Sequence, residues 1–331
     1  MPLRLLLVSM LVVLGTGTAS AQAPGPVGEG EGAFNALVPA GTPVEHLAGG
    51  FDWSEGPAWH PDGFLVFSDV PQNTIYRWDE EDGLGVYLRP SGHAGDDPPG
   101  PEMGSNGLTF DAEGRLVMAD HGNRQVARVT EQWTKTPLAT HYEGRRFNSP
   151  NDLVYRSDGR LFFTDPPYGL AGQDDDPAKE LDVNGVYRLD PAGAVTLLVD
   201  SLSRPNGVAL SPDERTLYVA VSDPEAARYY AYELDERGDV ESGRVLFDAT
   251  PLVGSEQPGL PDGLAVDRDG HLFATGPGGV LVLAPDGRHL GTIETGRPTA
   301  NVAFGDDGAS LYLTADGDLL RVRTRTVGLG F

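Results

Sequence analysis

Short apolar strands alternate with polar turns along most of the chain. Each unit of the pattern has an oxygen-bearing polar residue, a small or turn residue, an apolar strand, a turn rich in Asp and Gly, and a second apolar strand. Six units fit it: EGPAWHPDGFLVFSD from Glu55, NGLTFDAEGRLVMAD from Asn106, NDLVYRSDGRLFFTD from Asn151, NGVALSPDERTLYVA from Asn206, DGLAVDRDGHLFATG from Asp262 and NVAFGDDGASLYLTA from Asn301. Self-similarity at a period of about 40 to 55 residues indicates a repeat architecture.

Each unit predicts a β-hairpin, because strands rich in Val, Leu, Phe and Tyr flank a turn of Asp or Glu and Gly. Further strands are expected in most units, at 74–79, 185–190 and 228–235. No long stretch has sustained helical periodicity. The sequence therefore predicts an all-β fold, a six-bladed β-propeller with four-stranded blades. A β-sandwich is the alternative, but it would not produce six similar units.

In a propeller, equivalent positions of the repeats lie on a ring around the axis. We therefore expect the residues that open the six units to face one central mouth: Glu55, Asn106, Asn151, Asn206, Asp262 and Asn301. Asn-Gly and Asp-Gly also form turns, which would explain any one of them locally, but Glu55 is a weak turn residue. Carboxylate and amide oxygens are what Ca²⁺ requires, at a coordination of about six to eight. The ring predicts a central metal site whose two carboxylates would balance a divalent charge.

Composition excludes several partners and chemistries. Acidic residues number 49 and basic residues 24, for a net charge of −25, and such a surface repels nucleic acid and anionic lipid. The chain has no cysteine, which excludes disulfides, thiol nucleophiles and zinc–thiolate sites. The acidity fits a saline habitat or simply a well-solvated surface. No apolar stripe suggests an obligate partner, so we expect a monomer.

The N-terminus has the pattern of an export signal. Arg4 precedes a Leu- and Val-rich stretch, and Ala19-Ser20-Ala21 fits a small-residue cleavage site. A membrane anchor is the alternative, but the apolar stretch is short for a span of about 20 residues. We expect a signal peptide at 1–21, an N-terminal extension at 22–44 and the propeller at 45–331. The mature protein would then be periplasmic or secreted, with no membrane insertion.

Five stretches of the chain together resemble the SMP-30/gluconolactonase/luciferin-regenerating family of regucalcin-like six-bladed propellers. They are SEGPAW at 54–59, SNGLTFDAEGRL at 105–116, NSPNDLVYRSDGRLFFTDPPYG at 148–169, RPNGVALSPDERTLYVA at 204–220 and PDGLAVDRDGHLFA at 261–274. The resemblance covers roughly 45–323. The stretches ADHGNRQVARV and DPPYGL are most similar to the bacterial gluconolactonase branch.

The resemblance implies a set of metal ligands and an activity. The family's ligands are a Glu in the first blade, an Asn in the third, an Asn in the fourth and an Asp in the fifth. By motif these fall on Glu55, Asn151, Asn206 and Asp262. The family uses calcium most often, and zinc, magnesium and manganese also serve. The implied reaction is hydrolysis of a sugar lactone, with glucono-1,5-lactone as the default substrate and a cation that polarises the carbonyl and positions water.

Two residues are candidates for the general base that takes the proton of this water. Asp262 is one, because the family places its fifth-blade Asp beside the metal and the substrate. His121, in ADHGNRQV, is the other, since histidine is suited to proton transfer near neutral pH. A structural histidine near the blade rim is the alternative for His121.

Four residues are expected to contact substrate. Asn106 and Asn301 complete the ring and are expected to face substrate or water. Arg124 could contact a polyhydroxylated or acidic substrate, or be a solvated arginine at the blade edge. Tyr168 could line the pocket or simply pack. For Asp165, in FTDPPYG, we expect a structural role in fixing the proline-containing loop.

Two long connections interrupt the repeats. The Gly- and Pro-rich segment 89–107 could fold over the mouth as a lid. The acidic segment 171–184 is expected to be a solvated loop, with a second calcium site as the alternative.

Other activities remain possible on the same fold. The resemblance also implies phosphotriester hydrolysis as an alternative, because related propellers with the same four ligands cleave organophosphates. A non-catalytic propeller would instead bind a protein or glycan on its face. The central ring of oxygens favours an enzyme over the binding propeller. The chain has no phosphate-binding glycine loop, Gly-x-Ser-x-Gly elbow or His-Glu-x-x-His pair, which argues against serine-hydrolase and zinc-peptidase chemistry.

Overall fold

The computed structural model describes residues 24–28, 32–95, 100–254 and 256–331. It is nearly all-β and contains six antiparallel four-stranded sheets, which confirms the predicted six-bladed propeller. Helical structure in these residues is limited to the helix Gly32–Leu37 and the 3₁₀ turns Gln173–Asp175 and Thr250–Leu252. Within the described ranges, no helix has the length and apolar character needed to cross a bilayer. The signal peptide expected at 1–21 lies outside the described residues and stays a prediction.

Each blade consists of four strands that follow one another from the axis outward. Blade 1 contains Ser54–His60, Phe64–Asp69, Thr74–Asp79 and Gly83–Leu88; blade 2, Ser105–Phe110, Leu116–Asp120, Gln125–Val129 and Lys135–Ala139; blade 3, Leu153–Tyr155, Leu161–Asp165, Gly185–Leu189 and Val195–Val199; blade 4, Pro205–Leu210, Thr216–Val221, Arg228–Leu234 and Val240–Asp248; blade 5, Leu264–Val266, Leu272–Gly276, Gly279–Leu283 and His289–Glu294; blade 6, Asn301–Gly305, Ser310–Ala315, Asp318–Arg323 and Val44–Gly49. A two-stranded ribbon, His141–Tyr142 with Arg145–Arg146, follows blade 2.

The core is divided among the contacts between blades. Six clusters of buried apolar side chains each join two neighbouring blades, and the strands are apolar on both faces because each sheet is covered on both sides. Between blades 2 and 3, for example, Val117 and Val126 pack with Phe163 and Tyr187. The first strands of neighbouring blades contact one another around the axis. The residues that open these strands are thereby placed at one end of a central channel.

The ring of blades is closed by the N-terminal part of the chain. Val44–Gly49 pairs antiparallel with Asp318–Arg323 and forms the outermost strand of blade 6. It begins one residue before the boundary expected at 45. Ahead of it, Phe34 and Val38 are fully buried against the apolar cluster between blades 5 and 6. The described part of the N-terminal extension therefore packs on the propeller.

Candidate functional site

A cavity of about 640 Å³ lies at one end of the axis. Five of the six residues predicted to form the ring line it: Glu55, Asn106, Asn151, Asn206 and Asp262. All except Asp262 are at most 5% exposed, and Asp262 keeps more of its surface open. The structure thus brings together the four residues predicted to bind metal.

Close approach of the inner strands draws these residues towards the axis. The residue after the ring position is glycine in four blades. A Cβ atom on Gly56 would lie 2.2 Å from the carbonyl oxygen of Asn106, and one on Gly207 would lie 2.1 Å from that of Asp262. Such distances are far inside van der Waals contact, so only glycine lets each strand approach the next ring residue. In these four blades, the glycine after the ring residue therefore has a packing function.

Asn301 does not belong to the ring, which corrects the sequence prediction. Ala300 N donates to Thr314 O at 2.9 Å, as Asn151 N donates to Thr164 O at 2.9 Å, so Ala300 occupies the ring position in blade 6. Asn301 instead matches Asp152, the residue after the ring position in blade 3. A one-residue shift turns a side chain to the other side of its strand. Asn301 accordingly lines the central channel below the cavity and not the cavity itself.

Burial gives the two ring carboxyls unusual proton affinity. Enclosure away from water raises the pKa of Glu55 to about 8, although Glu55 Oε2 accepts a hydrogen bond from Gly56 N at 3.0 Å. Burial also raises the pKa of Asp262 well above its usual range, and the nearby charge of Glu55 acts in the same direction. A bound divalent cation would relieve both effects.

The polar atoms of the cavity fit a hard cation. Asp262 Oδ1 and Asn106 Oδ1 are buried and have no hydrogen-bond partner in the protein. The amide of Asn206 is oriented by its Nδ2 group, which donates to Ser222 Oγ at 2.8 Å. In the part of the chain that the structure describes, no group of three or more His, Cys, Asp or Glu side chains could hold a metal. The ring is a different kind of donor set, because amides supply half of the four predicted ligands.

His121 does not line the cavity. Its side chain is fully buried, and Nδ1 lies 3.0 Å from Oε2 of Glu102. Glu102 does line the cavity, and its side chain is 32% exposed. The sequence prediction therefore identified the buried member of this pair and missed the member that faces the cavity. The available signal was the connection 89–107, which contains Glu102 and for which a lid over the mouth was one interpretation.

Tyr168 lines the cavity, as one of its two interpretations predicted. Arg204, which the sequence prediction missed, lines it as well, with its guanidinium carbon 5.9 Å from the centre of the Tyr168 ring. The available signal was its place two residues before Asn206, in RPNG.

Arg124 is neither in the cavity nor solvated at the blade edge, so both expectations for it are corrected. It is 4% exposed, Nε donates to the carbonyl oxygens of Phe147 at 2.6 Å and Asn148 at 3.1 Å, and Nη1 donates to that of Ala178 at 2.9 Å. A guanidinium is suited to this task because it offers five donors in a rigid plane. Arg124 thus holds together two loops beside blade 3.

Asp165 has the structural role that was expected. Its two carboxylate oxygens accept hydrogen bonds from Asn148 N and Ser149 N, both at 2.8 Å, and burial raises its pKa to about 7. These bonds fix the segment that leads into Asn151.

The acidic segment 171–184 uses carboxylates in its own structure. Asp176 accepts hydrogen bonds from Gly172 N at 2.7 Å and Ala178 N at 2.8 Å. Asp174 accepts one from Asn184 Nδ2 at 2.9 Å and lies 3.9 Å from Lys179 Nζ. These contacts favour the solvated loop over a second calcium site.

Fold and site together define a class of protein: a six-bladed propeller with carboxylate and amide oxygens gathered in a cavity on its axis. The family model described as "SMP-30/Gluconolactonase/LRE-like region" matches residues 53–317. The chain belongs to this family, which confirms the resemblance seen in the sequence.

Named relatives include several lactonases. A gluconolactonase of Zymomonas mobilis is 43% identical over 304 residues, which cover 89% of this chain and 85% of the relative. Pentonolactonase XacC of Haloferax volcanii is 32% identical, with 80% of this chain and 81% of the relative covered.

Solved structures share the same fold. The gluconolactonase XC5397 of Xanthomonas campestris has a TM-score of 0.78 at 31% identity, with 92% of this chain and 96% of that chain covered. A calcium-binding protein, regucalcin, of Agrobacterium tumefaciens has a TM-score of 0.65 at 19% identity, with 87% and 95% covered. The second likeness shows the fold alone.

Proposed function

We propose that this protein hydrolyses sugar lactones to aldonic acids with the help of one divalent cation, Ca²⁺ in the first instance. Glu55, Asn151, Asn206 and Asp262 would hold the cation. The observation that carries the proposal is the convergence of these four oxygen-bearing side chains on one axial cavity. The lactonases among the relatives, which align over most of the chain, supply the substrate class.

The size and lining of the cavity suit a monosaccharide lactone. About 640 Å³ is in the usual range for small-molecule sites. Trp53 and Tyr168 offer aromatic surface, and Asn106 offers a polar amide to hydroxyls. The strongly acidic chain, at a net charge of −25, favours a neutral substrate over an anionic one and favours release of the aldonate product.

A bound divalent cation would supply Lewis-acid polarisation of the lactone carbonyl. The residues of the chain do the remaining work. Asp262 has two carboxylate oxygens, so one could hold the cation while the other takes a proton from the attacking water. The water oxygen forms the new bond to the carbonyl carbon and the bond between that carbon and the ring oxygen breaks. The ring oxygen takes up the proton held by Asp262 and stays on the product as a hydroxyl group of the aldonic acid. The amide of Asn106, whose Oδ1 has no partner in the protein, would orient the substrate.

Acid release from glucono-1,5-lactone in a pH-stat tests the proposal, with spontaneous hydrolysis subtracted. We expect activity that disappears on chelation, returns with Ca²⁺ and is absent in Asp262→Asn. Asp269→Asn is the matched control, since Asp269 is an exposed residue of the same blade, in the hairpin turn far along the strand from the cavity. Calcium binding without hydrolysis above background would show that the assigned substrate is wrong. If the protein neither binds calcium nor hydrolyses the lactone, the alternative of a non-catalytic binding propeller is favoured.

A further inference from the structure

Glu102 and His121 form a pair at the edge of the cavity that the proposed reaction leaves without a function. Glu102 belongs to the connection between blades 1 and 2, and His121 follows the second strand of blade 2. His121 Nδ1 is 3.0 Å from Glu102 Oε2, whereas neither ring nitrogen has a well-aligned hydrogen bond. A buried imidazole without partners is costly, and the Glu102 carboxylate is the acceptor at hand.

The backbone around Glu102 is held in place by packing. His93 N donates to Met103 O at 2.8 Å, and Gly104 N donates to Val70 O at 3.0 Å. A Cβ atom on Gly122, the residue after His121, would lie 2.1 Å from Met103 O. The described part of the connection therefore rests directly on the turn that carries His121, so the distance between the two side chains is set by the fold.

The chemistry of the pair indicates what it would bind. An ionised carboxylate has two acceptor oxygens, and an imidazole N–H can engage only one of them. The second stays available to a donor in the cavity. Glu102 is not one of the four residues assigned to the cation, although it lines the same cavity as they do. A sugar lactone presents hydroxyl groups as donors. Hydrogen bonds from neutral hydroxyls to a fixed carboxylate are among the stronger polar contacts available in proteins.

We propose that Glu102 binds ring hydroxyls of the substrate and that His121 is a positioning residue that orients the Glu102 carboxylate. This inference rests on the proposed lactonase function. It makes Glu102 a determinant of specificity for polyhydroxylated lactones over lactones without hydroxyls. A site built to accept a hydroxyl discriminates strongly by this means.

The test uses Glu102→Gln with two substrates and one inert ligand. For glucono-1,5-lactone we expect KM to rise about tenfold with a smaller change in kcat. For δ-valerolactone, which lacks hydroxyls, the kinetic constants should be unchanged. Binding of 1,5-anhydro-D-glucitol, which keeps the ring hydroxyls and lacks the carbonyl, should weaken by a similar factor in a calorimetric or NMR titration. The exposed residue Glu131 provides the matched control, Glu131→Gln, which should behave as wild type.

His121→Asn tests the positioning role. It should shift the affinity for 1,5-anhydro-D-glucitol in the same direction, and the double variant should be no weaker than Glu102→Gln alone, because both changes remove one interaction. Equal losses for both lactones in Glu102→Gln, or additive losses in the double variant, would overturn the inference. If wild type hydrolyses neither lactone, the proposed function fails. The titration with 1,5-anhydro-D-glucitol still tests Glu102 in that case. Equal affinities of wild type and Glu102→Gln for this ligand would overturn the role of Glu102 in binding hydroxyls.

Discussion

The side chains of Asp152 and Asn301 meet across the propeller axis, just below the cavity. They come from blades 3 and 6, which lie opposite one another in a ring of six. Both residues follow the ring position, where the other four blades have glycine. The side chain of each also accepts a hydrogen bond from the backbone of the next residue. Leu153 N donates to Asp152 Oδ1 at 2.9 Å, and Val302 N donates to Asn301 Oδ1 at 2.8 Å. The pair forms a floor between the cavity and the channel.

Asn301→Ala should therefore affect stability and not cation binding. Loss of its contacts leaves Asp152 and Val302 N short of partners in a buried place, which costs about 1–3 kcal/mol. Denaturant unfolding measures this loss. Calcium affinity, measured by titration calorimetry, should stay near wild type for Asn301→Ala and fall strongly for Asn151→Ala. An equal fall in both variants would place Asn301 among the ligands after all.

Cation binding should release protons near neutral pH. Burial holds the pKa of Glu55 at about 8 and raises that of Asp262, so the cation-free site retains a proton at pH 7. A cation requires the ionised form and displaces this proton. Affinity should consequently weaken as pH falls below 8. Calorimetry at pH 7 in two buffers of different ionisation enthalpy reports the number of protons, and a value of zero would contradict the raised pKa values.

The chelated protein should lose stability as pH rises. Burial raises the folded-state pKa of Glu55 to about 8, of Asp152 to about 6 and of Asp165 to about 7, all above the values in an unfolded chain. The folded state then binds more protons than the unfolded state between about pH 4 and 8, so the free energy of unfolding falls across this interval.

Unfolding of chelated wild type and Glu55→Gln between pH 5 and 8 isolates the Glu55 contribution. The variant should show the shallower decline, and Ca²⁺ should restore wild type at pH 8. Parallel declines for the two proteins would argue that Glu55 ionises normally in the folded state.

The repeats made the fold and most of the ring predictable, because each hairpin supplies its own apolar strands and turn. The exception, Asn301, has a definite cause. In blade 3, the residue after the ring position is Asp152, and the matching threonine of the second strand, Thr164, lies 12 residues further along the chain. In blade 6, the corresponding residues Asn301 and Thr314 are 13 residues apart. One extra residue in the turn of blade 6 displaced the alignment.

The repeat pattern could not predict that Glu102 lines the cavity, for a different reason. It lies in the connection between blades 1 and 2, outside the repeated hairpins, and its position depends on long-range packing against His121 and Gly122. Sequence spacing carries no information on such a contact. The motif around His121 was conspicuous in the sequence. The burial of the His121 side chain depends on the same long-range packing, and so does its proposed role in orienting Glu102.

Lys135 anchors the start of this connection, and its removal should show how far Glu102 depends on it. Lys135 Nζ lies 3.2 Å from Oδ2 of the fully buried Asp120 and donates to the carbonyl oxygens of Ser91, at 2.8 Å, and Gly92. Lys135→Met keeps the aliphatic stem and leaves Asp120 without its cation, which should cost about 3 kcal/mol. Hydrogen exchange should accelerate in 89–95, and affinity for 1,5-anhydro-D-glucitol should weaken.

The only other lysine provides the control. Lys179 Nζ donates to Leu181 O at 2.8 Å and lies 3.9 Å from Asp174, whose side chain is 45% exposed. Lys179→Met should therefore cost well under half as much, since the carboxylate that loses its cation is still solvated. Equal unfolding midpoints for Lys135→Met and wild type would show that the other hydrogen bonds to Asp120, from Asn123 and Gln125, suffice to hold its charge. The connection that carries Glu102 would then be held by its backbone contacts alone.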